Sequence, residues 1–156
     1  MENPGVTSPP VNGLLALGIL LALVAAATAA GLVWRATTGR ARTTRSGQVV
    51  HAAEVGAEAL GDRATLLQFS TEFCAPCRST ARVLGAAADE VDGVRHVDVD
   101  LTHRPDLASR FGVLQTPTTL VLDAAGAVRA RIGGAARPDD VRTTLDRILG
   151  SHDVAA

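Results

Sequence analysis

Lysine and tyrosine are absent from this chain of 156 residues, and aromatic side chains are scarce, with three Phe and one Trp. A core without aromatic bulk must be filled by Val, Leu, Ile and Ala, which the 47% hydrophobic content supplies. All 15 basic residues are Arg, a bias that reflects genomic base composition rather than function. The formal net charge is only −1, but it is unevenly placed. Residues 1–46 hold four Arg and one acid, whereas residues 47–156 hold eleven Arg and fifteen acids. An acidic, aromatic-poor region lacks the basic surface that a nucleic-acid partner needs, so none is expected. Cysteine is limited to Cys74 and Cys77, which excludes a framework of several disulfides. Zinc would need two more ligands, and His51, His96, His103 and His152 show no H-x₃₋₅-H spacing. No metal site is expected.

What the chain does have is the stretch Phe69-Ser70-Thr71-Glu72-Phe73-Cys74-Ala75-Pro76-Cys77-Arg78. It follows an apolar run, Leu66-Leu67, and leads into an alanine-rich segment with helical spacing. Two thiols three residues apart on a first helical turn can close a disulfide with little distortion. The N-terminal thiol then lies near unpaired N–H groups and the positive end of the helix, which favour the thiolate. The thiolate is the species that attacks disulfides. Pro76 between the cysteines marks a helix start rather than a core.

Taken in order, residues 1–10 carry three prolines and are expected to be disordered. Residues 11–34 contain no charge. As a helix this run would reach about 36 Å, enough to cross a bilayer. A cleaved signal peptide, cut after Ala27-Thr28-Ala29, is the rival reading. No Arg precedes Arg35, however, and a signal peptide wants a basic start, so an uncleaved anchor is expected. Trp34 would sit at the membrane interface. Arg35, Arg40, Arg42 and Arg45 follow, and the positive-inside rule puts them in the cytoplasm. Arginines that merely touch anionic head groups would allow either orientation.

Residues 35–47 read as an Arg-rich linker, 48–150 as a folded domain and 151–156 as a flexible tail. A strand is expected to begin at Val49-Val50, and Ala52–Leu60 has a helix-like composition. A buried strand is expected over Thr65–Ser70, a helix from Cys74 to Glu90, an alternating strand over Val94–Asp100 and a short helix over Arg104–Phe111. Thr118–Leu122 and Ala127–Ile132 flank the hairpin signal Asp123-Ala124-Ala125-Gly126. A last helix opens at Pro138, with Val141, Leu145, Ile148 and Leu149 on one face. A βαβ unit followed by a hairpin and a helix gives an α/β fold, a central mixed β-sheet flanked by α-helices, here preceded by one transmembrane helix.

Residues from Val49 to Gly150 resemble the thioredoxin family. The run Leu67 to Cys77 resembles its strand-to-active-site segment, usually ending in Trp-Cys-Gly-Pro-Cys, and Thr116-Pro117-Thr118 resembles its cis-proline loop. Gly126 and Gly133 also match. The resemblance implies a thiol–disulfide oxidoreductase whose only redox group is the Cys74–Cys77 disulfide, with no other cofactor. Cys74, at the helix mouth, is expected to be the more exposed, attacking thiol and Cys77 the resolving one. Pro117 is expected cis, Thr116 to offer backbone hydrogen bonds to a substrate strand, and Phe73, Ala75 and Pro76 to border it. Expected partners are disulfide-containing proteins and a thiol electron donor, in electron transport and cell redox homeostasis. A single-pass membrane protein with a cytoplasmic, reducing domain is the leading expectation. An outward-facing domain serving cytochrome maturation or another thiol pathway, and a binding module without turnover, are the alternatives.

The chain departs from the family at several positions. Gln68 stands where many thioredoxins carry a buried Asp, and an amide cannot accept and release a proton as a carboxylate does. His96 stands where the family often has a Lys paired with that Asp. It is either a substitute base or an ordinary strand histidine. Phe73 and Ser70 replace aromatic residues, and Ala75 replaces Gly. Arg78 adds positive charge near the cysteines or is simply solvated.

Overall fold

A computed structural model describes residues 13–37, 39–44 and 47–153. The expectations for residues 1–10, for Arg45 and for the end of the tail, 154–156, lie outside the described residues. The chain divides into two compact units, Met1–Thr37 and Thr38–Ala156.

The first unit contains helix α1, Gly13–Thr37. Its Gly13–Trp34 segment, 22 residues, is long and apolar enough to cross a membrane, a test that a signal sequence also passes. The Thr28 hydroxyl donates to the Val24 carbonyl at 2.8 Å, so this polar group is satisfied within the helix itself.

The second unit is built on a five-stranded sheet in the order β1-β5-β4-β2-β3. Its strands are β1 (Ala41–Thr43), β2 (Ala64–Ser70), β3 (Val94–Asp100), β4 (Thr118–Asp123) and β5 (Val128–Gly133). β2 and β3 run parallel, joined by helix α2 (Ala75–Asp89); every other pairing is antiparallel. Helix α3 (Pro105–Arg110) lies between β3 and β4, and α4 (Pro138–Asp153) follows β5. All seven residues of β2 are buried, which is why its sequence shows an apolar run instead of alternation.

One face of the sheet, with Leu66, Val121, Ala130 and Ile132, packs against Leu84 and Ala87 of α2 and against Val141, Leu145, Ile148 and Leu149 of α4. The other face, with Leu67, Phe69, Leu120 and Leu122, packs against Leu107, Phe111, Val50 and Val55. Two of the three phenylalanines meet there, Phe69 and Phe111, with ring centroids 5.3 Å apart. Truncating a fully buried leucine such as Leu66 or Leu120 to Ala would cost about 2–5 kcal/mol.

The structure differs from the sequence reading near the start of this unit. Ala41–Thr43, inside the segment expected to be linker, pairs with Ile132–Ala130 as an edge strand. Three residues are too few to show a periodicity. Val49 makes only an isolated bridge to Ala127, so no strand begins there. The helix expected over Ala52–Leu60 is a single 3-10 turn, Ala52–Val55, closed by Gly56 in a left-handed conformation (φ 70°). At the other end α4 runs past Leu149 to Asp153, so helix continues into the segment expected to be flexible.

Candidate active site

β2 delivers the chain to Thr71–Phe73, and Cys74 then serves as the N-cap of α2 with an extended backbone (φ −100°, ψ 94°). Pro76 falls in the first helical turn, where a missing N–H costs nothing and its fixed φ suits the helix. Cys77 closes that turn and is disulfide-bonded to Cys74, with the two Cα atoms 5.3 Å apart. Cys77 is 4% exposed, whereas Cys74 is only half-buried. The outer sulfur therefore sits at the positive end of α2 and the inner one beneath it.

The Thr116–Pro117 peptide bond is cis. The hydroxyls of Thr71 and Thr116 lie 3.2 Å apart, which ties the proline loop to the turn before Cys74. Upstream of that loop, Arg131 of β5 caps the end of α3, its guanidinium donating to the carbonyls of Phe111 and Gly112. Burial pushes the Arg131 pKa below the usual guanidinium value. Beside these tethered groups, Phe73 and Leu114 are almost fully exposed, at 93% and 97%. Ala75 and Pro76 are exposed as well.

Gln68 is fully buried, and its Nε2 donates to the carbonyl oxygen of Cys77 at 3.1 Å. Its Oε1 has no hydrogen-bond partner, nor has the hydroxyl of Thr119, which stands opposite it on β4. On the other side, the β3 residue in register with Gln68 is Asp98; His96 is in register with Leu66. His96 is thus one pleat further from the cysteines, and it does not line the cleft beside them. Burial pushes its pKa down, with the charge of Asp98 working in the opposite sense.

That cleft, about 310 Å³, is lined by Cys74, Cys77, Arg78, Glu72, Asp98 and Asp100 among others. The sequence reading missed Asp98 and Asp100. The alternation of β3 was visible, but the partner of Gln68 depends on a parallel register that the sequence does not display. Asp100 accepts from the backbone N–H of Thr102 at 2.8 Å and from its hydroxyl, which holds the Asp100 pKa below the usual carboxylate range. Thr102 Oγ1 in turn accepts from the N–H of Glu72 at 3.0 Å, fastening the cysteine turn to the end of β3. Among the described residues, no cluster of three or more His, Cys, Asp or Glu is placed to hold a metal ion.

The sequence model of the Thioredoxin family matches residues 49–147. The chain belongs to the thioredoxin family. Thioredoxin 1 of Nostoc sp. is 28% identical over 92 residues, covering 58% of this chain and 81% of that protein. Thioredoxin of Alicyclobacillus acidocaldarius is 31% identical over 74 residues, 47% of this chain and 70% of that one. A solved structure titled as that of a malarial protein has the same fold, with a TM-score of 0.51 at 20% identity over 56% of this chain and 98% of that one. As a thioredoxin with its cysteine pair at the mouth of α2, the chain is a thiol–disulfide oxidoreductase, and the disulfide itself is the redox group.

Proposed function

We propose that this thioredoxin is anchored in a membrane through α1 and reduces disulfides in protein partners, with Cys74 as nucleophile and Cys77 as resolving thiol. The observation that carries this reading is the asymmetry of the pair: a partly exposed sulfur at a helix N-cap and a buried one a turn behind it. In the reduced form, the Cys74 thiolate attacks one sulfur of a substrate disulfide and expels the other as a thiolate. Cys77 then attacks Cys74, the mixed disulfide breaks, and the substrate leaves with two thiols. An external thiol donor returns the pair to its reduced state.

The groove for the substrate strand is assigned to Thr116 and Pro117, with Phe73, Ala75 and Pro76 along its border. Thr116 supplies main-chain hydrogen bonds, which give affinity with little demand on substrate sequence. The oxidoreductase reading is tested by Cys77→Ser, which should accumulate mixed disulfides through Cys74 in the native membrane. If that variant captures nothing and the wild type leaves a model protein disulfide intact, the reading fails.

Arginines follow α1 and none precedes it, which supports a cytoplasmic redox domain. Single cysteines introduced at Ser8 and Ser151, in a chain whose own pair is blocked, test this with a membrane-impermeant thiol reagent. Labelling at Ser8 alone is expected. Labelling at Ser151 alone would place the domain outside, where extracytoplasmic thiol pathways become its field of action.

A further inference from the structure

For Cys77 to attack, its buried thiol must lose a proton, and the side chain that touches its backbone is an amide. Gln68 spends its Nε2 on the Cys77 carbonyl, and an amide has no titration in the useful range. The proton must go to another group in the cleft. The carboxylates that line it are Glu72, Asp98 and Asp100.

These three are not equivalent. Asp100 is committed to the N–H and hydroxyl of Thr102, a clamp that shapes the turn. Glu72 precedes Cys74, on the turn at the outer sulfur's side, and its own backbone is fastened to Thr102. Asp98 is the β3 residue directly beside Gln68, the residue bonded to Cys77. Its carboxylate takes part in no hydrogen bond or ion pair among the described residues, and it is exposed to the cleft that Cys77 also lines. The charged groups around it are Arg78 from α2, Glu72 from the cysteine turn, and Asp100 and His96 from its own strand.

We infer that Asp98 is the proton acceptor for Cys77, so that the acid–base group of this site stands on β3, next to the position on β2 occupied by Gln68. The inference rests on the oxidoreductase reading above. In the resolving step the Cys77 S–H proton passes to the Asp98 carboxylate, directly or through cleft water. The freed electron pair forms the Cys77–Cys74 S–S bond, the bond from Cys74 to the substrate sulfur breaks, and the departing substrate thiolate takes a proton from solvent. The cysteine pair is oxidised by two electrons and the substrate disulfide is reduced by two. Gln68 is then a positioning residue: it fixes the first turn of α2 over the strand pair and leaves the proton to its neighbour.

The test separates the two thiol steps. Attack by Cys74 is read as its rate of alkylation by iodoacetamide, and resolution as the rate at which a preformed mixed disulfide on Cys74 releases its thiol. Asp98→Asn should slow release tenfold or more near neutral pH, a loss that shrinks as the pH rises and solvent base takes over. Alkylation of Cys74 should stay within about twofold, because that step asks nothing of Asp98. Asp98→Glu should recover most of the release rate, and far-UV circular dichroism checks that each variant is folded. Glu72→Gln should have a smaller effect than Asp98→Asn. Release by Asp98→Asn at the wild-type rate with the wild-type pH profile, or an equal loss in Glu72→Gln, overturns the assignment while the wild type still reduces disulfides. A wild type that reduces none overturns the oxidoreductase reading, and this inference with it.

Discussion

Gln68 Nε2 donates to the carbonyl oxygen of Cys77 at 3.1 Å, which sets an uncharged amide against the first turn of the redox helix. Replacing it by Asp would bury a carboxylate that cannot donate to that carbonyl once ionised. Burial and the nearby charge of Asp98 should raise its native pKa above the unfolded value of about 3.9. A raised carboxylate pKa favours the folded state at low pH, and that contribution is lost as pH rises through the native value. Chemical denaturation of Gln68→Asp should therefore show a deficit against wild type of about 1–3 kcal/mol at pH 8 that narrows toward pH 5.

The hairpin between β4 and β5 depends on Asp123, whose side chain is 1% exposed. It accepts from the N–H groups of Ala125 and Ala127, both at 2.9 Å, and from Arg129 Nε at 2.6 Å. Burial alone would raise its pKa, but Arg129 and the two backbone donors outweigh it and hold the carboxyl below the usual carboxylate range. A depressed pKa means stability present above the unfolded value and lost as pH falls through the native one. Asp123→Ala should cost about 1–3 kcal/mol at neutral pH and give an unfolding free energy that changes less below pH 4, as acid titration of the denaturation curve would show.

His96 acts in the same direction as Asp123, but over a higher pH range. Burial favours its neutral form, and Nε2 has no partner. As pH drops below the ordinary 6.5, the unfolded chain takes up a proton before the folded one does, and stability declines until the lower native pKa is passed. Replacing His96 by Leu should flatten the stability profile between pH 7 and pH 5 without loss at pH 7. A profile unchanged by that substitution would contradict the burial account.

Phe73, next to Cys74 and 93% exposed, buries nothing in the isolated chain. Phe73→Ser should leave the melting temperature within a degree or two, as expected for a surface position. It should raise the KM for protein disulfides while leaving the reduction of a small aliphatic disulfide unchanged, a comparison that steady-state kinetics makes directly.

The parts of this architecture that rest on local chemistry were legible in the sequence. The apolar run of β2, Pro76 at the mouth of α2, and the Val141, Leu145, Ile148 and Leu149 stripe of α4 are each written in neighbouring residues. The strand at Ala41–Thr43 was not, because it exists only through its ladder with β5. The segment after Val50 has a helix-like composition, yet Gly56 in its left-handed conformation stops it after one turn. The site divides in the same way. Cys74, Cys77 and Gln68 lie on one continuous stretch, whereas the relation of Asp98 to Gln68 needs the register of two strands 30 residues apart. That is why His96 drew attention from sequence while Asp98 did not.

The position of β3 has a further consequence for how copies of this protein meet one another. It is the outermost strand on its side of the sheet and, at seven residues, long enough to template another strand. Arg95, Asp98 and Asp100 punctuate it with mixed charge, while the opposite margin is only the three residues of β1. An open backbone bordered by solvated ionic groups resists zippering with a neighbour, so the carboxylates beside the cysteines also help keep an alanine- and leucine-rich chain from polymerising through its rim.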